Sequence, residues 1–197
     1  MGKKSLGLLL LVVLPALLLA GCGELGKVDQ GRVIEFDQTK KTVTLIQDKK
    51  AEPGKPDYNT LPPHVYTLPT DPNEIGALPK PGKRMNLDTK AKKITIFDAA
   101  SQNFKTLDYT LIDQKDDIRR DNPLVEDKEF PIVDRAKKTI TIYSARQRIL
   151  TTFTLPEEYF AMPDNTWTAG DEVRIYYHQP GKAQRFMNIT RTDIFKK

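Results

Sequence analysis

Asp37-Gln38-Thr39-Lys40-Lys41-Thr42-Val43-Thr44 is the stretch on which the fold turns, because it occurs three times. It returns as Asp88-Thr89-Lys90-Ala91-Lys92-Lys93-Ile94-Thr95 and as Asp134-Arg135-Ala136-Lys137-Lys138-Thr139-Ile140-Thr141. In each copy a β-branched Val or Ile stands six residues after the aspartate and a lysine four after it. A carboxylate that can accept turn amides, followed by lysines and then alternating β-branched residues, reads as a β-hairpin with a solvated tip. One carboxylate among several lysines makes a poor calcium cage, so these turns are read as structural.

Around these turns the chain alternates apolar and polar residues with period two: Arg32-Val33-Ile34-Glu35-Phe36, Ile94-Thr95-Ile96-Phe97, Thr139-Ile140-Thr141-Ile142-Tyr143. That period places one set of side chains in a core and the other in water. A longer order also occurs twice. Tyr66-Thr67-Leu68-Pro69 follows the first hairpin and Phe153-Thr154-Leu155-Pro156 the third, and a glycine-led run comes after each, Gly82 to Leu87 and Gly170 to Ile175. Pro156-Glu157-Glu158 suits the first turn of a short helix between them. Five short strands with a connector after the third resemble the small OB-fold and SH3-like barrels of envelope proteins. The expected fold is therefore all-β. Two tandem OB/SH3-like β-barrel modules cover 28–112 and 128–197, joined by a solvated charged linker at 113–127; one larger β-sandwich is the rival architecture. A proline-rich loop at 51–63 is an insertion that only the first module carries.

The N-terminus is of a different kind. Lys3 and Lys4 precede an apolar run from Leu6 to Leu19, which is too short to span a bilayer and reads as a signal-peptide core. Leu19-Ala20-Gly21-Cys22 then resembles the lipobox of bacterial lipoproteins at every position. The chain as a whole is similar to the small β-barrel lipoproteins of bacterial envelopes. The resemblance implies cleavage of a signal peptide at 1–21, diacylglycerol and an N-acyl chain on Cys22, and a short tether at 22–30. Two or more acyl chains hold stably where one holds only marginally. An aspartate after the cysteine would imply inner-membrane retention. Gly23 stands there instead, so the resemblance implies the outer membrane, facing the periplasm.

This N-terminus also governs the charge. Removing Lys3 and Lys4 with the signal takes the formal net charge from +5 to +3, and the remaining cations are interspersed with acids. No clustered basic face is legible, so nucleic acid is not expected as a partner. Cys22 is the single cysteine, which leaves packing to hold the fold without disulfides.

Catalytic signatures are sparse. The chain has two histidines, no Gly-x-Ser-x-Gly and no phosphate-binding glycine loop, so no enzyme is expected. Asn188-Ile189-Thr190 has the form of a glycosylation triplet but falls in an expected strand of a bacterial chain. Met162, Trp167, His178 and Met187 together resemble, in residue type, the ligand set of small periplasmic copper-binding β-barrels, without their close spacing along a strand. In Val173-Arg174-Ile175-Tyr176-Tyr177, alternation turns Val173, Ile175 and Tyr177 inward and Arg174 and Tyr176 outward. Arg174 and Tyr176, with Arg185, are the expected contact face for an envelope protein or cell-wall component, and no cofactor beyond the lipid is expected.

The anchor has a direct check. Cys22→Ser should accumulate as unprocessed precursor that takes up no labelled fatty acid, followed by gel mobility and by radiolabel. Mature, membrane-bound protein from that variant would overturn the assignment.

Overall fold

The computed structural model describes residues 25–52 and 55–192, so the signal segment, Cys22 and the last five residues lie outside it. The fold is all-β, with three antiparallel sheets, none closed into a barrel. Among the described residues twelve strands run in chain order: β1 Lys27–Asp37, β2 Thr42–Gln47, β3 His64–Thr67, β4 Arg84–Asp88, β5 Lys93–Asp98, β6 Asn103–Asp108, β7 Thr110–Lys115, β8 Ile132–Asp134, β9 Thr139–Ser144, β10 Ile149–Thr154, β11 Glu172–Tyr177 and β12 Arg185–Asn188. The short helix expected after Pro156 is a 3-10 segment, Glu157–Ala161.

All three repeated turns are hairpins. Asp37 Oδ1 accepts from Lys40 N (2.9 Å), Asp88 Oδ1 from Lys90 N and Ala91 N (3.0 and 2.8 Å), and Asp134 Oδ1 from Lys137 N (2.9 Å). The lysine four residues on, Lys41, Lys92 or Lys138, takes a left-handed backbone with φ between 52° and 55°, which returns the chain to the partner strand. A fourth turn, Asp98 to Gln102, works in the same way with Ser101 Oγ donating to Asp98 (2.7 Å). It escapes the repeat pattern because glutamine replaces the lysine.

Strand pairing crosses between the two expected modules. The five-stranded sheet has the order β12-β11-β1-β2-β3, so the closing hairpin of 128–197 pairs onto the first strand of 28–112, with Gly31 opposite Val173 and Arg32 opposite Glu172. The closing hairpin of 28–112 packs Met85 and Phe97 against Ile34 and Ile46 but does not join that sheet. With β6 it forms the sheet β4-β5-β6, whose Leu87, Ile94 and Ile96 pack in one core with Ile140, Ile142, Phe153 and Trp167 from the segment 139–167. Among the described residues no sheet closes into a barrel at 28–112 or at 128–197, and the closing hairpin of 128–197 is paired with β1. The tether expected at 22–30 is also shorter, since Lys27 to Gln30 already belong to β1. Nor is 113–127 a wholly solvated linker: its first three residues finish β7, which pairs with β10, and Ile118 and Val125 are buried.

The exchange depends on close backbone contact. Gly82 N donates to Val33 O (3.0 Å), Val33 N to Asp171 O (2.9 Å), and Arg84 N to Thr168 O (3.0 Å), so the two glycine-led segments cross over β1. β1 bulges there, with the register shifting between Val33 and Glu35. A Cβ on Gly170 would stand 1.9 Å from Val33 O, and one on Gly82 would stand 2.4 Å from Thr168 O.

Two predictions follow from these contacts. Gly170→Ala and Gly82→Ala each force backbone apart and should lower stability by roughly 3 kcal/mol or more, the upper end of overpacking effects, as read from urea unfolding midpoints. Gly76→Ala, whose nearest obstruction would be 3.3 Å away, serves as the comparison. Turn amides, and for Asp98 first the Ser101 hydroxyl, hold the carboxyls of Asp37, Asp98 and Asp134 below the usual carboxylate range. A depressed folded pKa contributes stability above the unfolded value of about 4 and loses it as pH falls through the folded value. The Asp37→Asn, Asp98→Asn, Asp134→Asn triple variant should therefore show a shallower loss of stability in that acid range than the parent.

Candidate functional site

Where the crossing segments meet β1, the three sheets leave a cavity of about 730 Å³. Its inner wall is polar and cationic. Arg32 lies on the face of β1 that also carries Ile34, and it is buried. Its Nη1 donates to the carbonyls of Arg84 and Met85 (2.9 and 2.8 Å), and its guanidinium carbon lies 4.2 Å over the ring of Tyr58. That stacking joins cation to π face in a desolvated place, where such contacts are strongest. Its Nε has no partner, and neither has the buried Tyr58 hydroxyl.

Arg84 opens β4 and gives Nε to Trp167 O (3.0 Å). Among the described residues no acceptor engages its two terminal nitrogens. Burial first, then repulsion from Arg32 and Arg146, lowers its pKa to about 9, which still leaves it charged near neutrality. Burial likewise lowers Arg32 and raises Tyr58. Arg146, in the β9–β10 turn, stands at the mouth, 3.6 Å from Glu172 Oε2. Glu172 is itself shared, since its Oε1 accepts from Gln30 Nε2 (2.5 Å). Lys55 and Arg120 complete the cations at the rim, and Asp57 adds the second carboxylate. Five cations face two carboxylates.

Tyr58 reaches this place because the proline-rich insertion is fastened down. The buried Asp48 accepts from Lys50 N and Asp57 N (3.2 and 2.7 Å), which folds the loop back over the sheet and sets Tyr58 against Ile34, Ile46, Met85 and Phe97. The sequence marked the loop but not the tyrosine. It also gave no sign of Arg32, Arg84 and Arg146, which are spread over more than a hundred residues and meet only through the exchanged pairing.

The residues expected to bind lie elsewhere. Arg174 and Tyr176 do face outward from β11, as alternation requires, but they are engaged locally. Arg174 donates to Gln30 Oε1 (3.1 and 2.8 Å), Tyr176 Oη lies 2.9 Å from His178 Nε2, and Arg185 pairs with Glu74 at 3.4 Å. The copper-type set is not assembled. Trp167 is fully buried with Met162 against it in the core, while Met187 is exposed on β12 and His178 stays in the β11–β12 turn. Among the described residues no three His, Cys, Asp or Glu side chains converge as metal ligands.

A second polar cluster lies on the five-stranded sheet. Buried Asp29 Oδ2 accepts from Tyr66 Oη (2.8 Å) and lies 2.6 Å from His64 Nδ1. Desolvation, then the Asp29 carboxylate, pushes the Tyr66 hydroxyl up. The cluster ties β1 to β3 across β2.

Comparison with curated proteins and with solved structures yields no match. A family model described as a domain of unknown function (DUF4881) matches residues 24–197. That span takes in all twelve strands and every residue of the cavity wall, and the chain belongs to the DUF4881 family.

Proposed function

We propose that this chain is a lipid-anchored lipoprotein of the bacterial cell envelope whose β body is a non-catalytic binding module, taking its ligand in the cavity where the three sheets meet. The observation that carries this reading is the cavity itself. About 730 Å³ lies within the range of small-molecule sites, and convergent polar groups line it. Unpartnered buried donors are uncommon in folded proteins and disfavour folding unless something else is gained from them. Arg32 Nε and the Tyr58 hydroxyl are two such groups on one wall.

The non-catalytic part of the reading rests on what surrounds the cavity. Four of its titratable groups are arginines, which stay protonated and serve poorly as general bases, and of its two carboxylates Glu172 is already engaged by Gln30 and Arg146. The envelope location rests on the lipobox resemblance at Cys22. A membrane is then the partner of the anchor, and the ligand comes from the envelope space, free or as part of a cell-wall component.

Native mass spectrometry of the lipidated protein, extracted from membranes in detergent, tests the reading. The expected result is a non-covalent small-molecule adduct that is absent from Ala145→Trp, a variant that fills the cavity mouth from the β9–β10 turn, with circular dichroism to show that the variant is folded. The released molecule should keep its mass after prolonged incubation with the protein. Absence of any adduct, or an adduct that persists in Ala145→Trp, overturns the binding reading; a changed mass overturns the non-catalytic one.

A further inference from the structure

We infer that the cavity is an oxyanion site, built for a phosphoryl group held by Arg84, Arg32 and Arg146 with Tyr58 as a hydroxyl donor. The inference rests on reading the cavity as the ligand site and adds the chemistry of the ligand. Its basis is an imbalance of charge and of donors that the protein does not correct by itself. Five cations line the space against two carboxylates, and one of these, Glu172, is already divided between Arg146 and Gln30.

The donors are equally one-sided. The two terminal nitrogens of Arg84 are without an acceptor among the described residues, and Arg32 Nε and Tyr58 Oη lack one in a buried setting. A ligand that satisfies all of them must be rich in acceptors and must bring negative charge. A tetrahedral dianion with three or four oxygens does both, and arginine forks match its edges bidentately. A single carboxylate offers two oxygens and one charge, and would leave donors of the wall unmet.

The arginines are also held in place before any ligand arrives. Arg32 is fixed by two carbonyls and the Tyr58 ring, and Arg84 by Trp167 O, so little side-chain freedom remains to be lost on binding. The volume is several times that of one phosphate ion. The remainder is lined by polar groups such as Asn86 and Tyr143, which suits a phosphoryl group carried on a sugar-sized polar body.

Isothermal titration of the full lipidated protein in detergent, at constant ionic strength, tests this with inorganic phosphate, glucose 6-phosphate and acetate. Saturable binding of one or both phosphates is expected, with acetate at least tenfold weaker. Tighter binding of glucose 6-phosphate assigns the site to an esterified phosphoryl group, and tighter binding of inorganic phosphate to the free ion; either upholds the proposal. Arg84→Met should weaken phosphate binding about tenfold or more. Arg146→Met, which leaves the bond from Arg84 to Trp167 in place, should do so too if Arg84→Met does not fold. Arg174→Met on the outer face should bind as the parent does. No saturable binding of either phosphate, acetate binding as tight, or unchanged binding in Arg146→Met overturns the proposal. If the phosphates fail while the adduct sensitive to Ala145→Trp remains, the oxyanion assignment falls and the binding reading stands.

Discussion

The structure depends on one close approach, the crossing of the Gly82 and Gly170 segments over the bulge of β1. Val33 stands at its centre, with its N–H on Asp171 O and its carbonyl on Gly82 N. Each side chain that might have stood at the two glycines would collide with backbone, not with a movable side chain. Because the approach is that close, the two glycine-led hairpins can exchange part of their partners: β11 pairs with β1, while β4 and β5 lie between two cores, Met85 and Phe97 against Ile34 and Ile46, and Leu87, Ile94 and Ile96 against Ile140, Ile142 and Phe153. The β1–β11 pairing and the core shared by the sheets β4-β5-β6 and β7-β10-β9-β8 both follow from this exchange.

The crossing also explains why polar groups collect at one place inside a β fold. Around it, Arg32, Arg84 and Tyr58 stand beside an apolar cluster of Ile34, Ile46, Met85 and Phe97. Arg32, next to the bulge, turns its guanidinium to the carbonyls of Arg84 and Met85, beside the crossing. Carbonyl acceptors partly offset its desolvation, yet burial of Arg84, and after it repulsion from Arg32 and Arg146, keeps the pKa of Arg84 low. Well-packed apolar residues of similar volume often give equal or greater stability than buried charged groups. An arrangement of this kind is therefore hard to account for by stability alone, and the proposed binding role would supply a reason for it.

What could be read in the sequence was whatever the chain writes locally. The hairpin turns at Asp37, Asp88 and Asp134 and the inward alternation of Val173 and Ile175 depend on neighbours within a few residues, so pattern reveals them. Strand Asn103–Asp108 was missed because Phe104, Lys105 and Thr106 are not buried and only Leu107 is, which leaves no alternation to find. The exchange of hairpins was not legible at all, since either pairing satisfies the same hydrophobic pattern and the choice is made by contacts far apart in sequence, such as Gly82 with Val33 and Lys27 with Tyr177. The cavity shares that fate. Arg32, Arg84 and Arg146 look like ordinary surface cations until the topology is known, while Arg174 and Tyr176, which alternation does place outward, face solvent in locally satisfied pairs.

The internal repeat accounts for the scaffold, and the departures from the repeat account for the site. Aligned on their glycines, Gly82-Lys83-Arg84 and Gly170-Asp171-Glu172 carry opposite charges at equivalent positions, and the crossing brings Arg84 and Glu172 to the same cavity. Had both copies kept the acid, the wall would oppose carboxylate to carboxylate. Had both kept the arginine, Arg146 would lose its nearby carboxylate and Gln30 its acceptor. A second departure is the proline-rich insertion, found in the first copy alone, which delivers Tyr58 under Arg32. One duplicated plan thus yields a place that is deliberately unlike its twin: charged, donor-rich and only partly neutralised. Folding by itself calls for no such asymmetry, whereas an anionic ligand would use every part of it.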